Sequence, residues 1–265
     1  MSFRIGTDAY ARHVGRYSAA LASAFCERAG VAAGDSVLDV GCGPGPLIAE
    51  AARRVGPERV AGVDSSAPFL AICRAALPGA DLRTADAEDL PFGDQSFDVV
   101  LSQLVLNFIL DARAGVAEMA RVARRTVAAC VWDYAGGMTM LRAFWDAAIE
   151  LDPLAPDEAR TMRFCTAPEL RSLWERAGLR DVATGEIVVA AEYADFDDYW
   201  TPFESGIGPS GAYVAALSSA RRDTFRTACF RRLGSPPGPF RLDARAWFVR
   251  GTVPGSLSRT SGGDR

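Results

Sequence analysis

Between residues 37 and 132, short runs of apolar residues alternate with longer segments in which apolar residues recur at helical spacing. This alternation predicts βαβ units and a mostly parallel sheet. The predicted strands are Val37–Val40, Val60–Asp64, Leu82–Thr84, Phe97–Ser102 and Thr126–Trp132. A first helix is predicted over Tyr17–Arg28, and the helices between strands are Pro46–Val55, a helix from Ser66 toward Leu77, and Asp111–Ala123.

After Trp132 the pattern changes, because 17 of the 25 aromatic residues and all five tryptophans fall in residues 131–265. Helices are predicted at 138–150, 167–177 and 210–233, with strands near 181–192 and 243–251. An aromatic stretch lies between those two strands. Five aromatic residues of this stretch and of the segments before it either line a pocket for a flat ligand or form ordinary core. They are Phe144, Trp145, Phe164, Trp200 and Phe203.

Composition narrows the class of protein. An apolar fraction of 49% and a charged fraction of 23% are those of a globular chain, and a net charge of −4 argues against a nucleic-acid partner. All 29 basic residues are arginine, so no lysine chemistry is available. The six cysteines are far apart, which favours free thiols and predicts no metal site. No apolar run is long enough to span a membrane and no signal segment is evident, so we expect a cytoplasmic protein.

The most informative segment is the strand Val37–Val40 followed by Gly41-Cys42-Gly43-Pro44-Gly45-Pro46. Glycines at such a turn bring bare backbone close to a ligand at the carboxyl end of the sheet. A dinucleotide fingerprint requires glycine where Pro46 stands, and the two prolines remove N–H donors that a pyrophosphate would use. S-adenosylmethionine carries no phosphate, so this bend favours it over NAD or FAD.

Acidic residues follow the bend at positions suited to a nucleoside. Asp39 lies beside the bend and can bind an ammonium group directly or through water. Asp64 ends the second strand, where a carboxylate can accept hydrogen bonds from both ribose hydroxyls. Asp86 can accept from the adenine amino group, while Ala87 offers a backbone N–H. Three separate segments therefore point to one nucleoside cofactor.

The motifs VLDVGCGPG, VAGVDSS and ADAEDLPFGDQSFDVVLS, in this order, resemble class I S-adenosylmethionine-dependent methyltransferases. The small-molecule group that includes ubiquinone and menaquinone biosynthesis enzymes is the most similar. The resemblance implies a Rossmann-like α/β fold, with a seven-stranded, mostly parallel sheet in the order 3-2-1-4-5-7-6, helices on both faces and a small helical lid. It implies S-adenosylmethionine as cofactor, bound by Asp39, Gly41, Gly43, Asp64, Ser65, Asp86, Ala87 and Ser102.

The resemblance also implies a domain organisation and a reaction. Residues 1–33 would form a helical segment over the cofactor site, 34–255 the methyltransferase domain with an aromatic helical insertion near 192–240, and 256–265 a flexible tail. The reaction would be in-line methyl transfer to a small molecule, with no nucleic acid involved. The family's R-V-L-K-P-G-G turn before the fifth strand is replaced here by Arg121–Thr126, which is shorter and lacks glycine.

The sequence leaves the general base and the function class open. His13, the only histidine, and Asp133, which follows the fifth strand, are the candidate bases. A packed or exposed histidine and a helix-capping aspartate explain the same residues. The alternatives to a methyltransferase are a non-catalytic S-adenosylmethionine-binding regulator and an NAD(P)-dependent reductase.

Overall fold

The computed structural model describes residues 14–206 and 208–255, and a seven-stranded sheet runs through them. The strands are β1 (Val37–Val40), β2 (Val60–Asp64), β3 (Asp81–Thr84), β4 (Phe97–Gln103), β5 (Ala123–Trp132), β6 (Arg180–Tyr193) and β7 (Phe240–Thr252). They lie in the order β3-β2-β1-β4-β5-β7-β6. The first five pair in parallel, and β7 is antiparallel to both its neighbours. The predicted order is confirmed.

Helices cover both faces of the sheet. They are α1 (Ser18–Ala29), α2 (Pro46–Val55), α3 (Ala67–Ala76), α4 (Ala112–Val122), α5 (Thr139–Leu151), α6 (Ala167–Arg176), α7 (Phe196–Trp200), α8 (Gly208–Ala216) and α9 (Ser219–Arg232). The core against one face contains residues of α1, α2, α3 and α5, and the core against the other contains residues of α4 and α6. No helix in the described ranges combines the length and apolarity needed to cross a membrane.

Two predicted elements differ from the structure in how they connect to their neighbours. The single helix predicted over 210–233 is two helices, α8 and α9, because the backbone of Ser218 is extended and begins a new helix. Strand β5 begins at Ala123, directly after α4 and three residues before its predicted start. The direct connection lies at Arg121–Thr126, where the family's longer turn is replaced. A register shift between Phe97 and Val99 in the pairing of β4 with β5 accompanies it.

The segment between β6 and β7 folds into α7, α8 and α9, which pack with α5 around an aromatic cluster. Phe144 stacks on Phe203 at a ring distance of 4.5 Å, and Phe225 meets Phe144 edge-on at 4.8 Å. Trp145 and Trp200 are also buried here. Phe164, in contrast, packs with the core on the opposite face of the sheet. Four of the five aromatic side chains therefore form core around α5, Phe164 belongs to the other core, and the five do not line one open pocket.

Candidate functional site

The bend after β1 has a backbone that glycine adopts without strain. Gly41, Gly43 and Gly45 have φ values of +78°, +54° and +102°. A Cβ added to Gly41 would come within 2.5 Å of the Val105 side chain, whereas a Cβ on Gly43 would meet nothing within 4 Å. The space in front of Gly43 is therefore open, and the space in front of Gly41 is filled by protein.

Every backbone amide of the bend already has an acceptor within the chain. The amides of Gly41 and Cys42 donate to the Val63 carbonyl at 2.8 and 2.9 Å, and the Gly45 amide donates to the Cys42 carbonyl at 3.0 Å. The Gly43 amide donates to Asp64 Oδ2 at 2.8 Å. Because the remaining two positions are prolines, the bend offers no N–H group to a pyrophosphate. This geometry disfavours a dinucleotide and suits a cofactor without phosphate.

Asp64 connects the bend to the next turn of the chain. Its Oδ2 accepts from the Gly43 amide and its Oδ1 accepts from the Ser66 amide at 2.7 Å. The residue is half-buried, and each carboxylate oxygen can accept a further hydrogen bond. The structure thus brings Asp64 against the bend, as the sequence predicts, and shows that it also holds the bend in place.

Asp39 is a buried carboxylate that the described part of the chain leaves without a hydrogen bond. Its side chain is 1% exposed, and neither oxygen has a hydrogen-bond partner among the described residues. Burial, reinforced by the nearby Cys73 and Asp64, raises the pKa of Asp39 well above its usual range. The Ile48 amide at the start of α2 opposes this rise without reaching hydrogen-bond geometry. An ammonium group is the chemistry that would stabilise such a carboxylate in its charged form.

The other residues predicted to bind the cofactor lie around the same edge of the sheet. Thr84, at the end of β3, is paired with Asp64, so the exposed Asp86 and the half-buried Ala87 follow close to Asp64. Ser65 is exposed in the turn after β2. Ser102 is fully buried, and its hydroxyl donates to the Val40 carbonyl at 2.9 Å. Ser102 therefore joins β4 to β1.

The two candidate bases have different outcomes. His13 lies outside the described residues. Asp133 is 3% exposed and accepts from the Ala135 and Gly136 amides, both at 3.2 Å. Its Oδ2 accepts two bonds from Arg245, at 2.6 and 3.0 Å. The Asp133 carboxylate is thus occupied by a turn and an ion pair.

Sequence reasoning assigned no role to three polar residues near the carboxyl ends of β4 and β5. Ser18 Oγ, Gln103 Oε1 and Trp132 Nε1 are buried and have no hydrogen-bond partner among the described residues. None of these three residues belongs to a sequence motif. The one signal available was position, since Gln103 and Trp132 close two neighbouring strands.

A further buried carboxylate, Glu158, lies beyond the edge of the sheet against α5. It accepts from Trp145 Nε1 at 2.8 Å. Burial raises the pKa of Glu158 from 4.5 to about 7, and Arg142 opposes the rise. Within the described ranges, no group of three or more His, Cys, Asp or Glu side chains is arranged to hold a metal ion.

Comparison with known proteins agrees with this geometry. Residues 38–130 match the family model described as a methyltransferase domain. The phthiotriol/phenolphthiotriol dimycocerosates methyltransferase of Mycobacterium tuberculosis is 39% identical over 93 residues, which cover 34% of each chain. The demethylmenaquinone methyltransferase of Lactobacillus johnsonii is 26% identical over 187 residues, or 63% of this chain and 77% of the relative. The match spans about a third of the length of the mycobacterial relative.

Solved structures share the fold at low sequence identity. The YcgJ protein of Bacillus subtilis is 19% identical with a TM-score of 0.55, covering 89% of this chain and 97% of that one. Phosphoethanolamine N-methyltransferase 2 of Haemonchus contortus, in complex with S-adenosyl-L-methionine, is 17% identical with a TM-score of 0.55, covering 89% and 52%. In its strand order, its glycine bend and its match to a methyltransferase domain over residues 38–130, this chain is similar to class I S-adenosylmethionine-dependent methyltransferases.

Proposed function

We propose that this protein transfers a methyl group from S-adenosylmethionine to a small-molecule acceptor by in-line displacement. The observation that carries the proposal is the glycine bend, whose amides are all engaged within the chain while the space in front of Gly43 is open. A phosphate-free cofactor fits this bend, and a pyrophosphate does not. When bound, S-adenosylmethionine supplies the methyl group on its sulfonium.

Each residue has a role that follows from its position. Gly43 would let the cofactor approach the backbone closely, and Gly41 would let the bend pack against Val105. Asp39 would bind the cofactor's ammonium group, directly or through water. Asp64 would accept from the ribose hydroxyls while it holds the bend. Asp86, Ala87 and Ser65 would surround the rest of the nucleoside, and Ser102 would keep the ends of β1 and β4 together.

The chain's part in the chemistry is to bind, orient and exclude water. Direct displacement needs the acceptor atom, the methyl carbon and the sulfur in line, and it needs no covalent enzyme intermediate. Asp133, the candidate base that the described residues include, is bound to Arg245, which supports positioning as the principal catalytic contribution. The helices between β6 and β7 would act as a partial lid over the acceptor.

The test replaces Gly43 with valine and measures S-adenosylhomocysteine binding by calorimetry. A β-branched side chain at φ +54° would project into the open space, so we expect the affinity to fall at least about 100-fold. Gly178→Val is the matched control, since Gly178 has φ +80° and nothing within 4 Å of its Cβ. Both variants carry the same strain of a β-branched residue at a positive φ. Only the control is expected to bind normally.

Methyl transfer is then assayed with isotopically labelled S-adenosylmethionine and a small-molecule extract of cells. Label in a small molecule, absent with Gly43→Val, is the expected result. Cofactor binding without any labelled product would favour a non-catalytic regulator instead. Undiminished binding by Gly43→Val would contradict the placement of the cofactor at the bend.

A further inference from the structure

Buried polar atoms without partners are concentrated at one place in the fold. Among the described residues they are Ser18 Oγ, Asp39 Oδ1, Asp39 Oδ2, Gln103 Oε1, Trp132 Nε1, Trp200 Nε1 and Arg222 Nε. A buried polar atom left without a hydrogen bond costs roughly 1–3 kcal/mol, so a native chain keeps few of them unless something else pairs with them. The ammonium group of the proposed cofactor would pair with the Asp39 oxygens. The proposed cofactor gives no partner to the unpaired atoms of Ser18, Gln103 and Trp132.

Contacts within the chain place these three residues together, and we name them the polar triad. Gln103 Nε2 donates to the Ser18 carbonyl at 3.3 Å, which lays the Gln103 side chain against the first turn of α1. The ring of Tyr17, the residue before Ser18, meets the Trp132 ring edge-on at 6.0 Å. Gln103 pairs with Cys130 across β4 and β5, and Trp132 lies two residues further on, on the same face. The triad therefore lies between the start of α1 and the ends of β4 and β5.

The polar triad is next to the glycine bend. Leu101 pairs with Asp39, so Gln103 reaches the level of Gly41 on the strand beside it. An acceptor that receives the methyl group must lie close to the bend, on the side away from the nucleoside. The ends of β4 and β5 are on that side, because the strand order places β2 and β3, with Asp64 and Asp86, on the other.

The unpaired atoms define what they would bind. Trp132 Nε1 only donates, Gln103 Oε1 only accepts, and Ser18 Oγ does either. A hydroxyl group satisfies both demands, because it accepts from the indole and donates to the amide oxygen. None of the three side chains carries a charge, which disfavours an ionised group at this point. The rings of Tyr17 and Trp132 add an aromatic wall.

We propose that Ser18, Gln103 and Trp132 form the subsite that binds and orients a neutral hydroxyl group on an aromatic acceptor. This inference rests on the proposed function and deepens it by naming the acceptor's chemistry. The three side chains are 3%, 8% and 3% exposed, so the first turn of α1 must shift for the acceptor to enter. The triad positions the acceptor and takes no part in bond making.

The experiment follows the indole N–H signals of the protein by NMR, with S-adenosylhomocysteine bound and phenol added as probe. Toluene, which matches phenol in size without the hydroxyl, is the matched probe. Trp132→Phe identifies the signal of Trp132. We expect phenol to shift that signal saturably and toluene to leave it in place. The Trp200 indole, also unpaired but enclosed in the aromatic cluster, is the internal control that phenol should not affect.

Two variants separate binding from structure. Gln103→Leu is expected to weaken phenol binding about tenfold, the loss of one well-placed hydrogen bond. Ser18→Ala removes an unpaired oxygen, so its melting temperature without probe should equal or exceed that of the parent. A clear fall in melting temperature for Ser18→Ala would show that buried water already pairs with Oγ and would overturn the proposal.

The remaining outcomes are also decisive. An equal response to phenol and toluene, or no response of Trp132 to phenol, would overturn the hydroxyl subsite. Because calorimetry with S-adenosylhomocysteine is independent of the probe, failure of the subsite with normal cofactor binding would leave the proposed function intact. Failure of cofactor binding would instead contradict the proposed function.

Discussion

Two buried aspartates lie near the carboxyl edge of one sheet, Asp39 within β1 and Asp133 directly after β5, and their surroundings differ completely. Asp133 accepts from two backbone amides and from Arg245. Asp39 accepts from no described residue. Removing the Asp133 carboxylate would break an internal structure, whereas removing that of Asp39 would relieve an unfavourable burial. A carboxylate's partners, and not its place on the sheet, therefore distinguish a structural group from one that the fold leaves unpaired.

The same contrast holds for the regions in which the two aspartates lie. The family match covers residues 38–130, where the space in front of Gly43 is open and the buried Asp39 has no hydrogen-bond partner among the described residues. From residue 133 to 255, buried aromatic rings and ion pairs fill the space. The first region thus leaves one carboxylate and the space in front of one glycine unfilled, whereas the later region is filled by packing.

Truncating Phe144 tests whether the aromatic cluster is core. The ring is fully buried and contacts Phe203, Phe225 and Trp145, so Phe144→Ala should lower the free energy of unfolding by about 3–5 kcal/mol in urea titrations. Phe108→Ala is the control, because Phe108 is 51% exposed and should cost little. Normal stability of Phe144→Ala would show that the cluster is a pocket after all.

Glu158 makes the stability of the protein depend on pH. Its pKa rises from 4.5 to about 7 on folding, so the folded state holds the proton more tightly. The free energy of unfolding contributed by this group is therefore full below about pH 4.5 and is lost as pH rises through 7, by roughly 2–3 kcal/mol. Glu158→Gln can still accept from Trp145 and should flatten that decline in melting temperature. The exposed Glu58→Gln is the control. An unchanged pH profile in Glu158→Gln would count against the buried, proton-binding state.

Asp133→Asn tests the structural half of the comparison directly. The amide oxygen can still accept from the turn, but the charge-assisted bonds from Arg245 are lost, so we expect a destabilisation of about 1–2 kcal/mol. Arg245 can partly rehydrate, which limits the loss. Asp94→Asn, at an exposed ion pair with Arg121, should change stability by less than about 0.5 kcal/mol. Equal effects of the two substitutions on stability would show that the Asp133 carboxylate is no more structural than an exposed ion pair.

Asp39→Asn should act in the opposite direction. Without cofactor and near pH 8, the variant should be more stable than the parent by about 1 kcal/mol, because an uncharged amide costs less to bury than a carboxylate. The gain should shrink toward pH 4, since the raised pKa of Asp39 leaves the parent's carboxyl group neutral there. Affinity for S-adenosylhomocysteine should fall in the same variant. A destabilised Asp39→Asn would mean that the carboxylate has a structural partner.

The sequence was sufficient for the parts of the fold that rest on local pattern and motif. Alternating apolar runs placed the strands of residues 37–132, and family resemblance supplied the strand order that the structure confirms. The helix predicted over 210–233 was wrong, because the break at Ser218 interrupts a stretch with continuous helical spacing. The early start of β5 was missed for a similar reason, since pairing with β4 overrides the local signal.

Motif spacing alone put Asp39, Asp64 and the glycines at one edge of the sheet, because parallel strands carry their carboxyl ends to a common edge. Long-range packing decided the rest. It paired Asp133 with Arg245, engaged every amide of the bend, and brought Ser18 to Gln103 across 85 positions of chain. Hydrogen bonds between residues so far apart in sequence produce no periodic pattern along the chain. Their presence or absence can therefore be determined only from the tertiary structure.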